Sequence, residues 1–354
     1  MKNSITIREL ARLSGVSVGT VSRALNGYPD VRQDTRDRIV RLAEELDYTP
    51  QAAARTLVTR RSHVVGIFLE TGKNHPDIQH PFFHEVLVGI KTRLGAAGYD
   101  LLLFASEEPG NGYGTHSYLK RCNHHHVDGA VLMGLSADDP EVERLGRSSL
   151  PCVSVDVEFE GLHSTWVSSD NFQGADLAVK HLMECGHTRI AHIAGPLETT
   201  PGRERLAGFR RAIQASGLDY DESLVVYGDF YFESGVSGME KLLALDAPPT
   251  AVFVASDMMA MGAMRAIQAN GLSIPGDVAV IGFDDIAIAG MAHPSLSTIR
   301  QEKAQLGELA AEALLRQMDA NGDEDGDDPA ANQLLPVTLV VRESTCGDRT
   351  EAVT

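Results

Sequence analysis

The sequence predicts a two-part fold: a small all-α helix-turn-helix head, followed by a two-lobed α/β body with parallel sheets. Three observations carry this. Residues 6–57 hold three short helical periodicities, with a glycine between the first and second. From Val64 onward, short apolar runs alternate with helical patterns, as in parallel strands covered by helices. That alternation occurs twice, in halves that echo each other: VVGIF leads to HPFFHEVLVGIKTRLGAAGY, and RIAHIAG leads to RERLAGFRRAIQASGL.

Within the head, Thr6-Ile7-Arg8-Glu9 has the spacing of a capping box, in which Thr and Glu satisfy each other's free amides at a helix start. Ile7, Leu10 and Ala11 then form an apolar stripe. Gly15 stands where the chain must turn sharply. Ser17 can cap the second helix, which buries Val21, Ala24 and Leu25. A third helix sets Ile39, Leu42, Ala43 and Leu46 on one face. An ordinary three-helix bundle would share these features. The outer face of the second helix is small and polar (Gly19, Thr20, Ser22, Arg23, Asn26), which favours a DNA-reading module instead. Tyr48-Thr49-Pro50 ends the third helix, because the residue before proline avoids the helical region. Gln51–Val58 is short and Ala-rich, and such a helix alone is marginal in water. The expected organisation is a head over 1–50, a hinge helix and linker over 51–62, a body over 63–345, and a polar tail over 346–354.

The charge divides along the same line. The 354 residues carry a net charge of −18, yet residues 1–62 hold 11 Lys and Arg against 7 Asp and Glu. A modestly basic head on an acidic body fits DNA contact through the head alone. Four cysteines (Cys122, Cys152, Cys185, Cys346) are widely separated and form no CxxC pair, so reduced thiols are expected. No apolar run is long enough to span a bilayer, and MKNSITIREL lacks the apolar core of a signal peptide. A cytoplasmic protein without membrane contact is the expectation.

In the body, the expected strands are VVGIFLE, DLLLFAS, GAVLMG and PCVSVD in the first half. IAHIAG, LVVYGD, AVFVAS and VAVIGFD follow in the second, with PVTLVVRES as the last strand. Two such lobes create a cleft at the carboxyl ends of their strands, where open α/β sheets bind ligands.

The segments GVSVGTVSRALNG and DYTPQAAARTL resemble the lactose-repressor (LacI/GalR) family of bacterial transcription regulators, and the likeness covers nearly the whole chain. The resemblance implies that the second helix enters the major groove, with Val18, Gly19, Arg23 and Asn26 at the base-reading positions. Thr20 and Ser22 would meet phosphates, and Thr6, Ser17, Tyr48 and Ala54 are further implied DNA contacts. Val18 and Gly19 stand where some relatives carry longer polar residues, so direct readout should lean on Arg23 and Asn26. The family's hinge folds on the operator and inserts a leucine into the minor groove, here Leu57. Arg55, Arg60 and Arg61 would add phosphate contacts. The body would share the fold of periplasmic sugar-binding proteins, with an effector in the cleft. The implied contacts are Phe82, Asp156, Arg205, Phe230, Ser256, Asp284 and Gln301. Carboxylates accept hydroxyl hydrogens, arginine offers a planar fork of donors, and aromatic faces cover a pyranose. Asp257 reads as a helix cap and Phe83 as core.

Other signals are discounted. Gly15-Val16-Ser17-Val18-Gly19 matches a hydrolase nucleophile elbow, but a helix rather than a strand precedes it. His124, His125 and His126 are consecutive on a helix end and splay around its axis, so no metal is expected there. Asn321, Asp323 and Asp325 partly mimic a calcium loop, yet its twelfth position is Asn332 rather than a bidentate Glu. A solvated loop is expected there.

The function expected is a repressor that binds a pseudo-palindromic operator as a homodimer and answers to a small molecule, first a sugar, alternatively a purine, nucleoside or partner protein. No cofactor and no catalysis are expected. A transport binding protein would carry a signal peptide and no head. A glycosidase would need acid and base paired at hydrolytic distance.

Overall fold

Thr6 starts the first helix by the predicted exchange. Its Oγ1 accepts from Glu9 N at 3.3 Å, and Glu9 Oε2 accepts from Thr6 N at 2.9 Å. Helix α1 (Ile7–Ser14) ends at Gly15, whose φ of 70° is left-handed backbone that glycine enters without steric cost. Ser17 Oγ accepts from Thr20 N at 3.1 Å and so caps α2 (Val18–Leu25). Helix α3 (Gln33–Glu45) closes the head. Leu10, Ala11, Val21, Ala24, Val31, Ile39 and Ala43 form its buried core, with Ile7, Leu25, Leu42, Leu46 and Tyr48 packed around them. The computed structural model describes residues 5–25, 27–48, 61–69, 80–105, 117–136, 138–159, 161, 163–320 and 331–346. It divides into two units, residues 1–62 and 63–354.

The apolar runs of the body become two six-stranded sheets. The first contains β1 (Val64–Leu69), β2 (Asp100–Leu103), β3 (Gly129–Met133), β4 (Cys152–Val155), β5 (Ser164–Ser169) and β11 (Gln333–Leu335), in the order β11-β5-β4-β3-β1-β2. All its pairings are parallel. The second contains β6 (Ile190–Ala194), β7 (Val225–Tyr227), β8 (Ala251–Val254), β9 (Ala279–Asp284), β10 (Ser297–Arg300) and β12 (Thr338–Val340), in the order β12-β10-β9-β8-β6-β7. Only β12 pairs antiparallel, at the edge beside β10.

Strands β5, β10 and β11 were not among the expected ones. STWVSS and QLL lack the apolar run that marks a buried strand. Their polar groups find partners distant in sequence: Asn332 Oδ1 accepts from Thr165 Oγ1 and from Trp166 N, both at 3.1 Å. Asn332 thus joins the two strands. The acidic stretch 321–330 lies outside the described residues.

Helices cover both faces of both sheets. Helix α4 (Pro81–Ala96) and α12 (Lys303–Ala320) bury one face of the first sheet, and α5 (Tyr118–His125) and α6 (Pro140–Gly146) the other. In the second lobe α7 (Asn171–Glu184) and α8 (Thr200–Ala215) lie opposite α9 (Phe232–Leu243) and α10 (Asp257–Ala269), with a short α11 (Ala287–Met291) beyond. Helices α4 and α12 meet through two glycines. A Cβ on Gly307 would fall 2.0 Å from the Val86 carbonyl, and one on Gly89 would fall 2.0 Å from that of Ala304. Backbone cannot yield cheaply, so Gly307→Ala should destabilise the body by about 1–3 kcal/mol in urea titrations. An unchanged midpoint would show that the helices separate freely.

The expectation of four reduced thiols fails at one pair. Cys185 and Cys346 form a disulfide across 161 residues, with Cα atoms 5.7 Å apart. Cys346, the first residue of the expected tail, is thereby fastened to the second lobe. Sequence spacing could not show this, because the contact is purely tertiary. Cys122 and Cys152 are free and buried, and burial pushes both thiols up to about 12. No helix of the described residues is long and apolar enough to cross a membrane.

Candidate functional site

On the head, the outer face of α2 is open. Val18 is 41% exposed, and Gly19 and Arg23 are exposed, while Thr20 and Ser22 are half-buried. Thr20 Oγ1 lies 2.9 Å from Ser17 Oγ, so these two hydroxyls fix the helix start. Arg23 Nη1 pairs with Asp30 Oδ2 at 2.7 Å, both side chains about half exposed. A pair so solvated is weak and can be exchanged for a base edge or phosphate. Tyr48 packs on the head core, and partial burial raises its hydroxyl pKa. Asn26, Ala54, Arg55, Leu57 and Arg60 lie outside the described residues.

In the body, the cleft residues converge at the carboxyl ends of strands, as the topology requires. Arg205 projects from α8 and is 3% exposed. Its Nε donates to Asn171 Oδ1 at 2.8 Å and its Nη1 to the Ala255 carbonyl at 2.6 Å. Nη1 also lies 3.5 Å from Asp284 Oδ1. The guanidinium sits 3.7 Å from the centre of the Phe283 ring and 5.8 Å from that of Phe230. An arginine so desolvated needs anions. Asp284 ends β9, Asp156 follows β4, and Glu204 precedes Arg205 on α8. Burial raises all three carboxyl pKa values, and Arg205 opposes that rise at each.

Each carboxylate is further held. Asp284 Oδ1 accepts from Gln301 Nε2 at 2.6 Å, and Asp156 Oδ1 accepts from Ser168 Oγ at 2.7 Å. Glu204 Oε2 accepts from Asn171 Nδ2 at 2.8 Å. Asp156, Phe230 and Asp284 all have left-handed backbone, with φ of 62°, 71° and 112°. Strained backbone clustered around one group is characteristic of a ligand site. Gly195 leaves the space for Phe230, since a Cβ there would fall 2.3 Å from its ring.

Two expectations change places. Phe82 is buried in the core of the first lobe, while Phe83 remains half-buried and meets His80 edge-on at 6.0 Å. Likewise Ser256, not Asp257, caps α10: its Oγ accepts from Met259 N at 3.2 Å and donates to the Phe230 carbonyl at 3.1 Å. Asp257 instead accepts from Thr298 Oγ1 at 2.6 Å and Ile286 N at 2.9 Å. It braces β10 and the Asp284–Asp285 turn, and burial raises its pKa strongly.

Sequence reasoning missed Asn171, Glu204 and Lys303, and left His80 without a role. Lys303 is buried at the start of α12 and donates to the Asp284 and Asp285 carbonyls at 2.6 and 3.0 Å. It also lies 3.5 Å from Glu85 on α4, so it ties the first lobe to the Asp284 turn. His80 caps α4 and stands 5.5 Å edge-on to the Tyr231 ring of the second lobe. Its Nδ1 accepts from Phe82 N at 3.4 Å, leaving Nε2 as the donor. Nε2 is buried and meets no acceptor in hydrogen-bonding geometry, although the Phe230 carbonyl favours its charged form. Gln301 Oε1 is likewise buried and unpartnered. A donor and an acceptor are therefore left open beside Arg205, which suits a polyhydroxylated ligand.

Burial pushes the His80 pKa down to about 4, and that of His192, stacked between Phe209 and Phe253, to about 3. Both are harder to protonate folded than unfolded. Stability is therefore full above pH 6.5 and lost as pH falls toward 4. Between pH 7 and 5 the loss should be about 2 kcal/mol per histidine, measured by urea midpoints. A slope unchanged in His192→Gln would contradict that assignment.

Known proteins match both parts. Residues 6–51 match the model of bacterial regulatory proteins of the lacI family, and residues 179–345 that of the periplasmic binding protein-like domain. The chain is 37% identical over 343 residues to the HTH-type transcriptional regulator CelR of Thermobifida fusca, covering 96% of this chain and 98% of the relative. It is 35% identical over 340 residues to the ribose operon repressor of Haemophilus influenzae, with the same coverage, 96% and 98%. Among solved structures, a CelR–cellobiose complex aligns with a TM-score of 0.71 at 33% identity, covering 96% of this chain and 99% of that one. The lac repressor dimer bound to operator and the anti-inducer ONPF aligns at 0.81 and 28% identity, covering 98% and 100%.

Proposed function

The chain belongs to the lacI family of bacterial regulatory proteins, and from that premise we propose that it is a homodimeric, cytoplasmic repressor released from or seated on its operator by a sugar. That it is a DNA-binding transcriptional regulator answering to a small molecule follows from the family. The sugar, the dimer and the operator symmetry are this reading's own.

The observation that carries the sugar is the Arg205–Asp284–Gln301 set, with the open His80 Nε2 and Gln301 Oε1 beside it. Ionised carboxylates accept hydroxyl hydrogens, the guanidinium and imidazole donate, and Phe230 supplies a flat apolar face. Relatives of this chain include a regulator solved with cellobiose and a ribose operon repressor. Asp156 and His80 stand on the first lobe, Arg205, Phe230 and Asp284 on the second. A ligand held by both sets favours the lobe pose in which they approach, which is a shift between existing states. Apolar side chains left at the surface, among them Val88 on α4, Ile288 and Met291 on α11, and Val341, suit pairing with a second copy. Two heads related by a two-fold axis would read a pseudo-palindrome.

Calorimetric titration of the full chain with cellobiose, ribose and purine bases tests the ligand class. Saturable binding of a sugar at micromolar concentration is expected. Binding of a purine base and of no sugar would replace this reading with the nucleobase one.

A further inference from the structure

We infer that Cys185 and Cys346, with His181 beside them, form a reversible thiol–disulfide clasp that fastens the carboxyl-terminal segment to the second lobe, beside the amino ends of β9 and β10. His181 and Cys185 lie four residues apart at the end of α7, so both sit on one side of the helix. Cys185 Sγ is 3.8 Å from His181 Nε2, and the His181, Cys185 and Cys346 ligand atoms all lie within 4.8 Å of one another.

The segment that the bond fastens is hydrogen-bonded to β9 and β10 and, through Arg342, to the turn that follows Asp284. Thr345 Oγ1 lies 2.8 Å from His181 Nε2 and 2.9 Å from Ser297 Oγ on β10. Ser344 Oγ donates to the Val280 carbonyl of β9 at 2.6 Å and accepts from Ser297 N at 2.8 Å. Arg342 Nη2 donates to Asp285 Oδ1 at 2.7 Å, one residue beyond Asp284. Opening the bond frees the end of a segment whose other end holds that turn.

A static crosslink is the wrong description for the compartment. This step rests on the regulator reading, which puts the chain among chromosomal DNA, where cellular thiols keep most cysteines reduced. Disulfides that persist there are mostly redox-sensing or catalytic. Cys346 is the more exposed cysteine, and Cys185 is buried beside the His181 imidazole, whose pKa burial lowers. The oxidant is a peroxide. The Cys346 thiol reduces it, giving a sulfenic acid and one water. His181 Nε2 takes the Cys185 proton, and the thiolate attacks the sulfenic sulfur. The S–S bond forms as the hydroxyl leaves with the proton from His181 as a second water. Two thiols lose two electrons and two protons, and one peroxide becomes two waters. A dithiol reverses the change by exchange.

The test uses the full chain in its native state, treated with hydrogen peroxide or dithiothreitol, alkylated and peptide-mapped. The Cys185–Cys346 peptide should appear with peroxide and vanish with dithiothreitol, while Cys122 and Cys152 stay thiols. The melting temperature should fall by several degrees on reduction in the parent and not in Cys346→Ser. His181→Asn should slow closure by about 10-fold or more, while Thr345→Val, which breaks the same hydrogen bond and keeps the imidazole, should close at the parent rate; a merely structural role for His181 would slow both alike. A bond that survives native dithiothreitol, or thiols that survive peroxide, overturns the clasp. So does one equivalent of zinc bound by the reduced parent and lost in both Cys185→Ser and Cys346→Ser, which would assign the three residues to a metal. None of these readouts needs DNA or sugar, so they fail independently of the regulator reading.

Discussion

Asp284→Asn is expected to abolish the response to effector and leave operator binding in place. The carboxylate accepts from Gln301 at 2.6 Å and faces Arg205 at 3.5 Å, and all three side chains are nearly inaccessible to water. Asparagine has almost the same shape and is among the residues that tolerate positive φ, here 112°. What it removes is the charge. Hydrogen bonds to charged groups are worth about 1.5–3 kcal/mol each. Losing two such bonds to ligand hydroxyls should weaken effector binding by roughly 100-fold or more. Breaking one partner of a buried ion pair costs about 3–5 kcal/mol. Asp156 and Glu204 also face Arg205, so the stability loss should fall near the lower limit. Calorimetry reads the first effect and urea unfolding the second. A variant that binds effector as the parent does places the ligand elsewhere.

The second large effect is expected at Arg23. Its guanidinium is the long polar group on an otherwise small reading face, where Val18 and Gly19 offer no side-chain hydrogen bond. Its pairing with Asp30 holds it in reach without burying it. Arg23→Ala should weaken operator binding by about 1–3 kcal/mol and relax preference at one base position. The drop should be largest on the cognate site and small on random DNA. A uniform drop across sequences would reassign Arg23 to a phosphate. Asp30→Ala makes the complementary prediction: the freed arginine should bind at least as tightly as in the parent.

Much of this was legible in the sequence because periodicity reports burial. The Thr6–Glu9 exchange, the Gly15 turn and the Ser17 cap are local, and short-range spacing is what a sequence displays directly. Nine expected runs became strands for the same reason. The strands it hid are those whose polar atoms find distant partners, as Thr165 and Trp166 find Asn332. The site was half legible. Arg205, Asp156 and Asp284 converge as the family resemblance implied, yet the roles of neighbours were exchanged. Ser256 caps the helix assigned to Asp257, and Phe82 fills the core assigned to Phe83, since adjacent residues differ in direction by about 100° around a helix. Lys303 and the Cys185–Cys346 bond depend on contacts across hundreds or dozens of residues, which no spacing reveals.

The claim at the centre is that the head and the cleft are two ends of one equilibrium. Coupling of that kind is reciprocal: whatever factor the effector imposes on operator affinity, the operator must impose on effector affinity. The direct measurement is therefore a pair of titrations on the full chain, operator anisotropy with and without saturating effector, and effector calorimetry with and without saturating operator. The account predicts the same factor in both, at least about 5-fold. An effector affinity unmoved by operator, in protein that binds both, would contradict it.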